Sequence, residues 1–200
     1  MRRRLWILLV SLLWLSGCSV LPERSVNEAQ TVYLLQAGVQ QPGQGDGVGK
    51  AVLLVTPPRA APGFDQRQIV WSDRDHRLAH YRDSRWADTP ARMLHAPLVD
   101  RLEASGHFAA VVSASGPGAQ AGLRLDSEIV LLRHELATRP GLLRFAVRVT
   151  LSGTQGVVSR RFEVVEESVR GDAEAAVVAA NVALVRLLEQ ITDFVVTAID

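Results

Sequence analysis

The sequence predicts an α/β fold, a single-domain sandwich in which a mixed β-sheet with an antiparallel meander is flanked by helices. Three observations predict it. Within residues 123–169, apolar and polar side chains alternate strictly from Leu143 to Leu151, which is typical of a strand with one buried face. Residues 173–197 carry apolar side chains at helical spacing. The continuous apolar run Val52–Val55 indicates a buried central strand.

The first half of the chain contains several short strand candidates. Val32–Leu35 is rich in strand-favouring residue types. Residues 38–49 hold many glycines and indicate a flexible loop before the central strand. Phe64–Trp71 is predicted to be a turn leading into a strand, and Leu78–Tyr81 to be another short strand.

A helix is predicted to begin at Thr89, with Pro90 at its first position, and to end at Gly106. Three leucines at four-residue spacing line one face of it: Leu94, Leu98 and Leu102. Pro97 lies inside this pattern, so we expect a kink or a late helix start there. Phe108–Val112 then returns as a strand.

Glycine-containing turns separate the strands of the meander, at Pro140–Gly141 and at Gly153–Gly156. In the first strand the alternation changes phase near Glu128–Val130. A β-bulge, or burial of both faces, would explain this change.

The last helix is predicted to start after Asp172, as N-cap, and to run to about Thr197. One apolar row forms the expected core stripe: Val177, Ala180, Leu184, Leu188, Ile191 and Val195. A second apolar row lies beside it: Val178, Val182 and Val185. So wide an apolar arc favours deep burial of the helix; the alternative is that the second row packs against another subunit.

The N-terminus has the features of a secretory signal: three arginines, then the apolar run Leu5–Leu15. These 11 residues are too few to cross a hydrocarbon core, which needs about 20 residues of helix. Leu15–Cys18 matches the bacterial lipobox, in which the cysteine is lipidated and becomes the new N-terminus. Cys18 is the only cysteine of the chain. We therefore predict lipidation, with acyl groups such as palmitate, at Cys18.

The lipobox divides the chain into three parts: a signal peptide (1–17), a lipidated tether (18–31) and one domain (32–200). The residue after the cysteine is Ser19 and not Asp. By resemblance to enterobacterial sorting rules, this predicts the outer membrane, with the domain facing the periplasm.

The mature chain is near neutral, because three of the 22 basic residues lie in the signal, leaving 19 basic against 21 acidic residues. A net charge of −2 gives no reason to expect a nucleic-acid partner. With no second cysteine, an exported fold must be stable without a disulfide.

No catalytic, cofactor or metal site is predicted, and we expect a protein that is not an enzyme. His76 and His80 have the spacing of a helical zinc pair, but the residues between them indicate a strand, which would separate them by roughly 13 Å. Glu166 and Glu167 are adjacent in a strand and must face opposite ways. No Gly-x-Ser-x-Gly motif is present.

Aromatic side chains are few, and one group of them is concentrated with two arginines. Trp71, Tyr81 and Trp86 occur near Arg82 and Arg85. Because Trp, Tyr and Arg are common anchors of interfaces, Trp71, Tyr81, Arg85 and Trp86 are candidates for a partner or ligand surface. The alternative is ordinary aromatic packing over the sheet.

Taken together, these features resemble the ABC-type transport auxiliary lipoprotein family, which includes paraquat-inducible protein C. The resemblance rests on the lipobox and on four segments: Tyr33–Leu35, Phe64–Val70, Tyr81–Ala87 and Gly106–Phe108. Three positions depart from the family pattern, where Leu, Arg and Trp are expected: Phe64, Gln66 and Phe194.

The resemblance implies a non-catalytic accessory of a mammalian-cell-entry type ABC system, which moves lipid across the periplasm. The lipoprotein would dock the periplasmic carrier protein at the outer membrane and form homo-oligomers. A periplasmic binding module for a small amphiphile is one alternative and would need a sizeable apolar cavity. An envelope hydrolase is another and would need a nucleophile beside a base.

Overall fold

The computed structural model describes residues 30–38, 51–113, 122–154 and 156–199. The predicted signal peptide, Cys18, almost all of the tether and almost all of the glycine-rich loop lie outside these ranges. The described fold belongs to one unit, Thr31–Asp200.

One mixed sheet of nine strands and two helices make up the described fold, which confirms the α/β prediction. The strands are β1 (Thr31–Tyr33), β2 (Val52–Val55), β3 (Arg59–Ala60), β4 (Gln68–Ser72), β5 (Ala79–Trp86), β6 (Ala110–Ser113), β7 (Leu123–Glu135), β8 (Gly141–Gly153) and β9 (Gly156–Ser168). The helices are α1 (Pro90–Ala104) and α2 (Ala173–Thr197).

The long strand β7 joins the two halves of the sheet. Along one edge it pairs antiparallel with β8 over its whole length, and β8 pairs with β9, so the predicted meander is confirmed. Along its other edge β7 pairs in parallel with β2, then β3, then β4. Strand β6 lies outside β2, while β5 and then β1 lie outside β4.

A β-bulge between Ile129 and Leu131 interrupts the pairing of β7 with β8. It lies where the alternation changes phase, as predicted. Before the bulge Ser127 and Ile129 are buried, and after it Leu132 and His134 are buried. The bulge therefore keeps both halves of the strand directed at the same core.

The strands of the first half differ most from prediction at β5 and β3, while the bounds of β1 and β6 shift by one or two residues. Strand β5 continues to Trp86 instead of ending near Tyr81. Residues 82–85 are polar or charged, and this hid the second half of the strand from a pattern based on hydrophobicity. The two-residue strand β3 was not predicted, because two residues have no periodicity.

Both helices pack into a single core with the sheet. Helix α1 begins at Pro90 and continues through Pro97 to Ala104, so a late start is wrong. Its three leucines, at 94, 98 and 102, are at most 1% exposed and hold the helix against the sheet on both sides of Pro97.

Helix α2 covers β8 and β9 and is capped by Asp172, whose side chain accepts a hydrogen bond from the N–H of Ala175 at 2.8 Å. The predicted core stripe is buried throughout. The second row is not: Val178 is 61% and Val182 is 43% exposed. Deep burial of the whole helix is therefore wrong. Because α2 lies over the outermost strand β9, the helix side beyond that strand has no covering element among the described residues.

The length and hydropathy of α2 would suit a membrane span, yet its buried stripe makes it a core helix.

We predict that Phe145→Ala lowers the free energy of unfolding by about 3–5 kcal/mol, because Phe145 is fully buried and its removal leaves a cavity beneath α2. Chemical denaturation measures this loss. The matched control is Val165→Ala, since Val165 is 41% exposed on the next strand and should cost about 0.5 kcal/mol or less. Equal losses in both variants would contradict the assignment of the core.

Candidate functional site

The structure removes one residue from the predicted aromatic surface. Trp86 is only 2% exposed and belongs to the hydrophobic core. Its backbone N–H donates to the carbonyl of Arg67 at 2.7 Å, and the Arg67 Nε donates back to the Trp86 carbonyl at 3.2 Å. For Trp86 the packing alternative is therefore correct.

Trp71 and Tyr81 do come together, at the ends of β4 and β5. Their ring centroids are 6.2 Å apart, and both side chains are half-exposed. The guanidinium of Arg77 lies 5.9 Å from the centre of the Trp71 ring. Arg85 is half-buried on β5, where it pairs in register with Val32 of β1. The surviving aromatic patch thus consists of Trp71, Arg77 and Tyr81.

Beneath this patch lies His134, which sequence reasoning missed. It is fully buried, and its Nδ1 lies 2.7 Å from the Tyr81 hydroxyl. The same hydroxyl donates to the Gly171 carbonyl at 3.3 Å. Tyr81 therefore links β5 and β7 to the segment that leads into α2. The phase change before His134 was the one sequence signal that could have placed its side chain in the core.

The second nitrogen of His134 lies close to the backbone of β8 at Gly141. Its Nε2 is buried and has no hydrogen-bond partner among the described residues. A Cβ at Gly141 would lie 3.0 Å from this nitrogen and 3.2 Å from the Glu135 carbonyl oxygen. Gly141 is thus required by the close approach of β8 to the imidazole.

Burial sets the charge state of this pair. It lowers the pKa of His134, while the negative charge of Asp172 acts in the opposite direction. Burial, helped by Asp172, raises the pKa of Tyr81 to about 12. Both side chains are therefore neutral near pH 7, and their hydrogen bond links β5 to β7.

The described residues contain no cluster of three or more potential metal ligands. The prediction that His76 and His80 lie on one strand is wrong. His76 lies in a turn with φ 61°, and the strand begins only at Ala79. His80 instead approaches the side-chain nitrogen of Gln66 at 2.8 Å.

The glutamate pair does diverge as predicted. The Glu166 carboxylate lies 2.6 Å from the Arg186 guanidinium of α2. Since neighbouring strand residues point to opposite faces, Glu167 is directed away from the helices. A paired-carboxylate site at these two residues is therefore excluded.

A second candidate surface lies where β9 meets α2. Val169 is 94% exposed, and together with Val178 and Val182 it lines a groove of about 290 Å³. Among the described residues eleven large hydrophobic side chains are exposed, and six of these lie on β9, on α2 or between them. We call the groove formed by Val169, Val178 and Val182 the valine groove.

The valine groove lies close to the segment that follows β1. Asn181, next to Val182 on α2, donates through its side-chain nitrogen to the Leu34 carbonyl at 3.4 Å and accepts from the Gln36 N–H at 3.0 Å.

Comparison with known proteins agrees with the family that the sequence features resemble. The family model described as ABC-type transport auxiliary lipoprotein component matches residues 33–192. Among solved structures, protein XCC0632 from Xanthomonas campestris, of family DUF330, is similar with a TM-score of 0.72 and 23% sequence identity, over 84% of this chain and 95% of that one. The hypothetical protein CT253 from Chlamydia trachomatis is similar with a TM-score of 0.55 and 10% identity, over 74% of this chain and 96% of that one. Both likenesses show the fold alone. No match was found among curated proteins.

We predict that acid destabilises the fold through His134. Because the pKa in the folded state lies below the unfolded value of 6.5, its contribution is complete above pH 6.5 and is lost as the pH falls towards the folded pKa. The slope should approach about 1.4 kcal/mol per pH unit. Urea unfolding at a series of pH values between neutral and mildly acidic measures it.

The control for this prediction is His134→Asn, which cannot titrate. At pH 8 this variant should be less stable than wild type, since it loses the fit to Tyr81. Its stability should then vary less with pH. An unchanged pH slope in the variant would assign the acid sensitivity to other groups.

Proposed function

We propose that this chain, which belongs to the ABC-type transport auxiliary lipoprotein family, docks the periplasmic carrier protein of a mammalian-cell-entry type lipid transport system at the outer membrane. The family match supports the role of a transport auxiliary lipoprotein. The outer membrane, the lipid cargo and the type of transport system are parts of the proposal. So is the absence of catalysis.

The proposed anchor is the lipidated Cys18. Several acyl chains on one cysteine give an attachment that is effectively permanent, since each buried CH₂ contributes about 0.8 kcal/mol. Ser19 at the next position supports the outer membrane. The 12 residues from Ser19 to Gln30 can span at most about 40 Å, which bounds the reach of the domain from the membrane surface.

The observation that carries the docking role is the exposure of the valine groove. Val169, Val178 and Val182 are 94%, 61% and 43% exposed and lie together where β9 meets α2. An exposed apolar patch of this kind is typical of a protein-binding surface. We therefore assign the contact with the carrier to this groove.

The aromatic patch of Trp71, Arg77 and Tyr81 is the second proposed contact for a partner. It adjoins the valine groove through the segment before α2, since Tyr81 is hydrogen-bonded to Gly171. Arg85 keeps its place as a candidate contact near β1. We also propose that the protein forms homo-oligomers.

A binding module for a small amphiphile is the second candidate function. One observation favours it, a cleft of about 330 Å³ at the tip of the β8–β9 hairpin, at the lower end of the range for ligand pockets. Its wall includes Leu123, Leu151, Val158 and Ile199.

We predict that Cys18→Ala releases the protein from the outer membrane. Without the thiol no acyl chain can be attached, and the chain should remain uncleaved in the inner membrane or become soluble. Fractionation of envelopes and metabolic labelling with palmitate measure the change. Labelled protein in the inner-membrane fraction of the wild type would contradict the proposed location.

We predict that Val178→Asp combined with Val182→Asp abolishes recovery of the carrier in crosslinking pull-downs from intact envelopes. A charge in the valine groove must be desolvated when an apolar partner surface covers it. The matched control is Val112→Asp, because Val112 is 40% exposed on the distant strand β6 and should leave recovery unchanged.

The outcomes separate the two candidate functions. Recovery of a mammalian-cell-entry protein that is lost only in the groove variant supports docking at that groove. Recovery that survives the variant places the interface elsewhere. Absence of any such protein from the wild-type sample, with a lipid copurifying instead, favours the amphiphile module.

A further inference from the structure

Two clefts meet between β9 and the last turns of α2, at the other end of the helix from the valine groove. The side chains of Val158, Arg160 and Phe162 lie on the helix side of β9, because residues two apart in a strand share a face. At about 1.5 Å per residue, Val178 and Ala198 are separated by roughly 30 Å along α2. The clefts are therefore distinct from the surface assigned to the carrier.

The first cleft suits a hydrocarbon chain. It has a volume of about 330 Å³, and four aliphatic side chains form much of its wall: Leu123, Leu151, Val158 and Ile199. Its other lining residues are alanines, glycines and Thr154, so no charged side chain lines it within the described ranges. A charged group would lose its hydration there without gaining a partner, whereas an acyl chain buries apolar surface. We call this the apolar cleft.

The second cleft continues from the first, since Ala198 lines both. It has a volume of about 410 Å³, and its wall carries two opposite charges, Arg160 from β9 and Asp193 from α2. Neither of these side chains forms an ion pair with a residue that the structure describes. Both charges thus remain available to a ligand. We call this the polar cleft.

Aromatic rings hold the Arg160 guanidinium in place. It lies 4.8 Å from the centre of the Phe194 ring and 6.0 Å from the centre of the Phe162 ring, and the two rings pack edge to face. A guanidinium stacked on a ring can still donate from its edge, and its paired N–H groups match two oxygens of a phosphate. Asp193 lies near the C-terminal end of α2, where the helix dipole also favours a cation. The polar cleft can therefore receive a phosphate beside an ammonium group.

We propose that the two clefts together bind one phospholipid, with an acyl chain in the apolar cleft and a zwitterionic phosphate–ammonium headgroup in the polar cleft. Arg160 binds the phosphate, and Asp193 attracts the ammonium group. Ethanolamine phospholipids have a headgroup of this kind. The site goes beyond docking of the carrier and rests on the proposed lipid transport only for the origin of its ligand.

Binding is tested on the mature chain, residues 18–200, with Cys18→Ser. This chain carries no acyl group of its own and therefore needs no detergent. Titration calorimetry with lysophosphatidylethanolamine, kept below its micelle concentration, should give one bound molecule per chain. Absence of binding would overturn the inference.

The apolar cleft is tested by filling it. Val158→Trp places a large ring in the cleft and should weaken binding of lysophosphatidylethanolamine by about tenfold or more. Val158 is 48% exposed, so the substitution should preserve the wild-type melting temperature. The matched control is Val157→Trp, because Val157 is 68% exposed on the opposite face of β9 and should leave binding unchanged.

The polar cleft is tested by removing one charge at a time. Arg160→Gln should weaken binding by about tenfold or more, whereas Arg161→Gln on the opposite face of β9 should leave it unchanged. Asp193→Asn should abolish the preference for lysophosphatidylethanolamine over lysophosphatidylglycerol, whose headgroup has no ammonium group. A change in headgroup preference separates recognition of the ligand from a general loss of structure.

The source of the acyl chain is tested on the lipidated wild type, purified from envelopes. Mass spectrometry should detect an ethanolamine phospholipid that copurifies with the wild type and is lost in Val158→Trp. A lipidated protein that carries no phospholipid and does not bind the probe, although the Cys18→Ser chain does, would assign the cleft to the protein's own acyl chains. That result would overturn the phospholipid as the ligand.

The readouts keep this site apart from docking. Equal effects of the paired substitutions on the two faces of β9 would overturn the lipid site, and recovery of the carrier in the pull-down would still support docking. Val158→Trp should recover the carrier as the wild type does, because the clefts and the valine groove lie at opposite ends of α2. A wild type that binds the lipid but recovers no carrier would refute docking alone.

Discussion

The structure depends on the phase change in β7. This strand has β8 on one edge and β2, β3 and β4 in succession on the other, so every strand of the sheet is joined through it. A slip of one residue in a strand moves all its side chains to the opposite face. Without the bulge between Ile129 and Leu131, either Leu125 or Leu132 would face water. The bulge thus allows one helix layer to cover two halves of a sheet that pair differently.

The sequence predicted the elements whose own periodicity determines their burial. The alternation of β8, the apolar run of β2 and the core stripe of α2 all appear in the fold as expected. Trp86 was misassigned because its burial comes from packing against distant elements, which no local pattern records. The second row of α2 has the same spacing whether or not another element covers it. Its exposure follows from the place of α2 at the edge of the sheet, which only the topology determines.

The candidate sites also differ in how far the sequence alone predicts them. The prediction of lipidation at Cys18 rests on a motif of four adjacent residues and needs no knowledge of the fold. The link between His134 and Tyr81 joins residues 53 positions apart, and a single histidine in a strand gives no sign of its partner. Two residues of the aromatic patch, Trp71 and Tyr81, were predictable because they lie on strands that pair directly. Surfaces made by several elements were the least predictable part of the molecule.

The two sides of the sheet have distinct chemical characters. The face opposite the helices carries ion pairs, among them Arg148 with Glu128 and Arg144 with Glu135. Exposed pairs of this kind contribute little to stability, but they keep that face hydrated and unsuited to an apolar partner. On the helix side the exposed valines of the valine groove lie beside Glu166, Glu167 and Arg170. A partner that covers this groove therefore gains from the burial of the valines and must match the charges beside them.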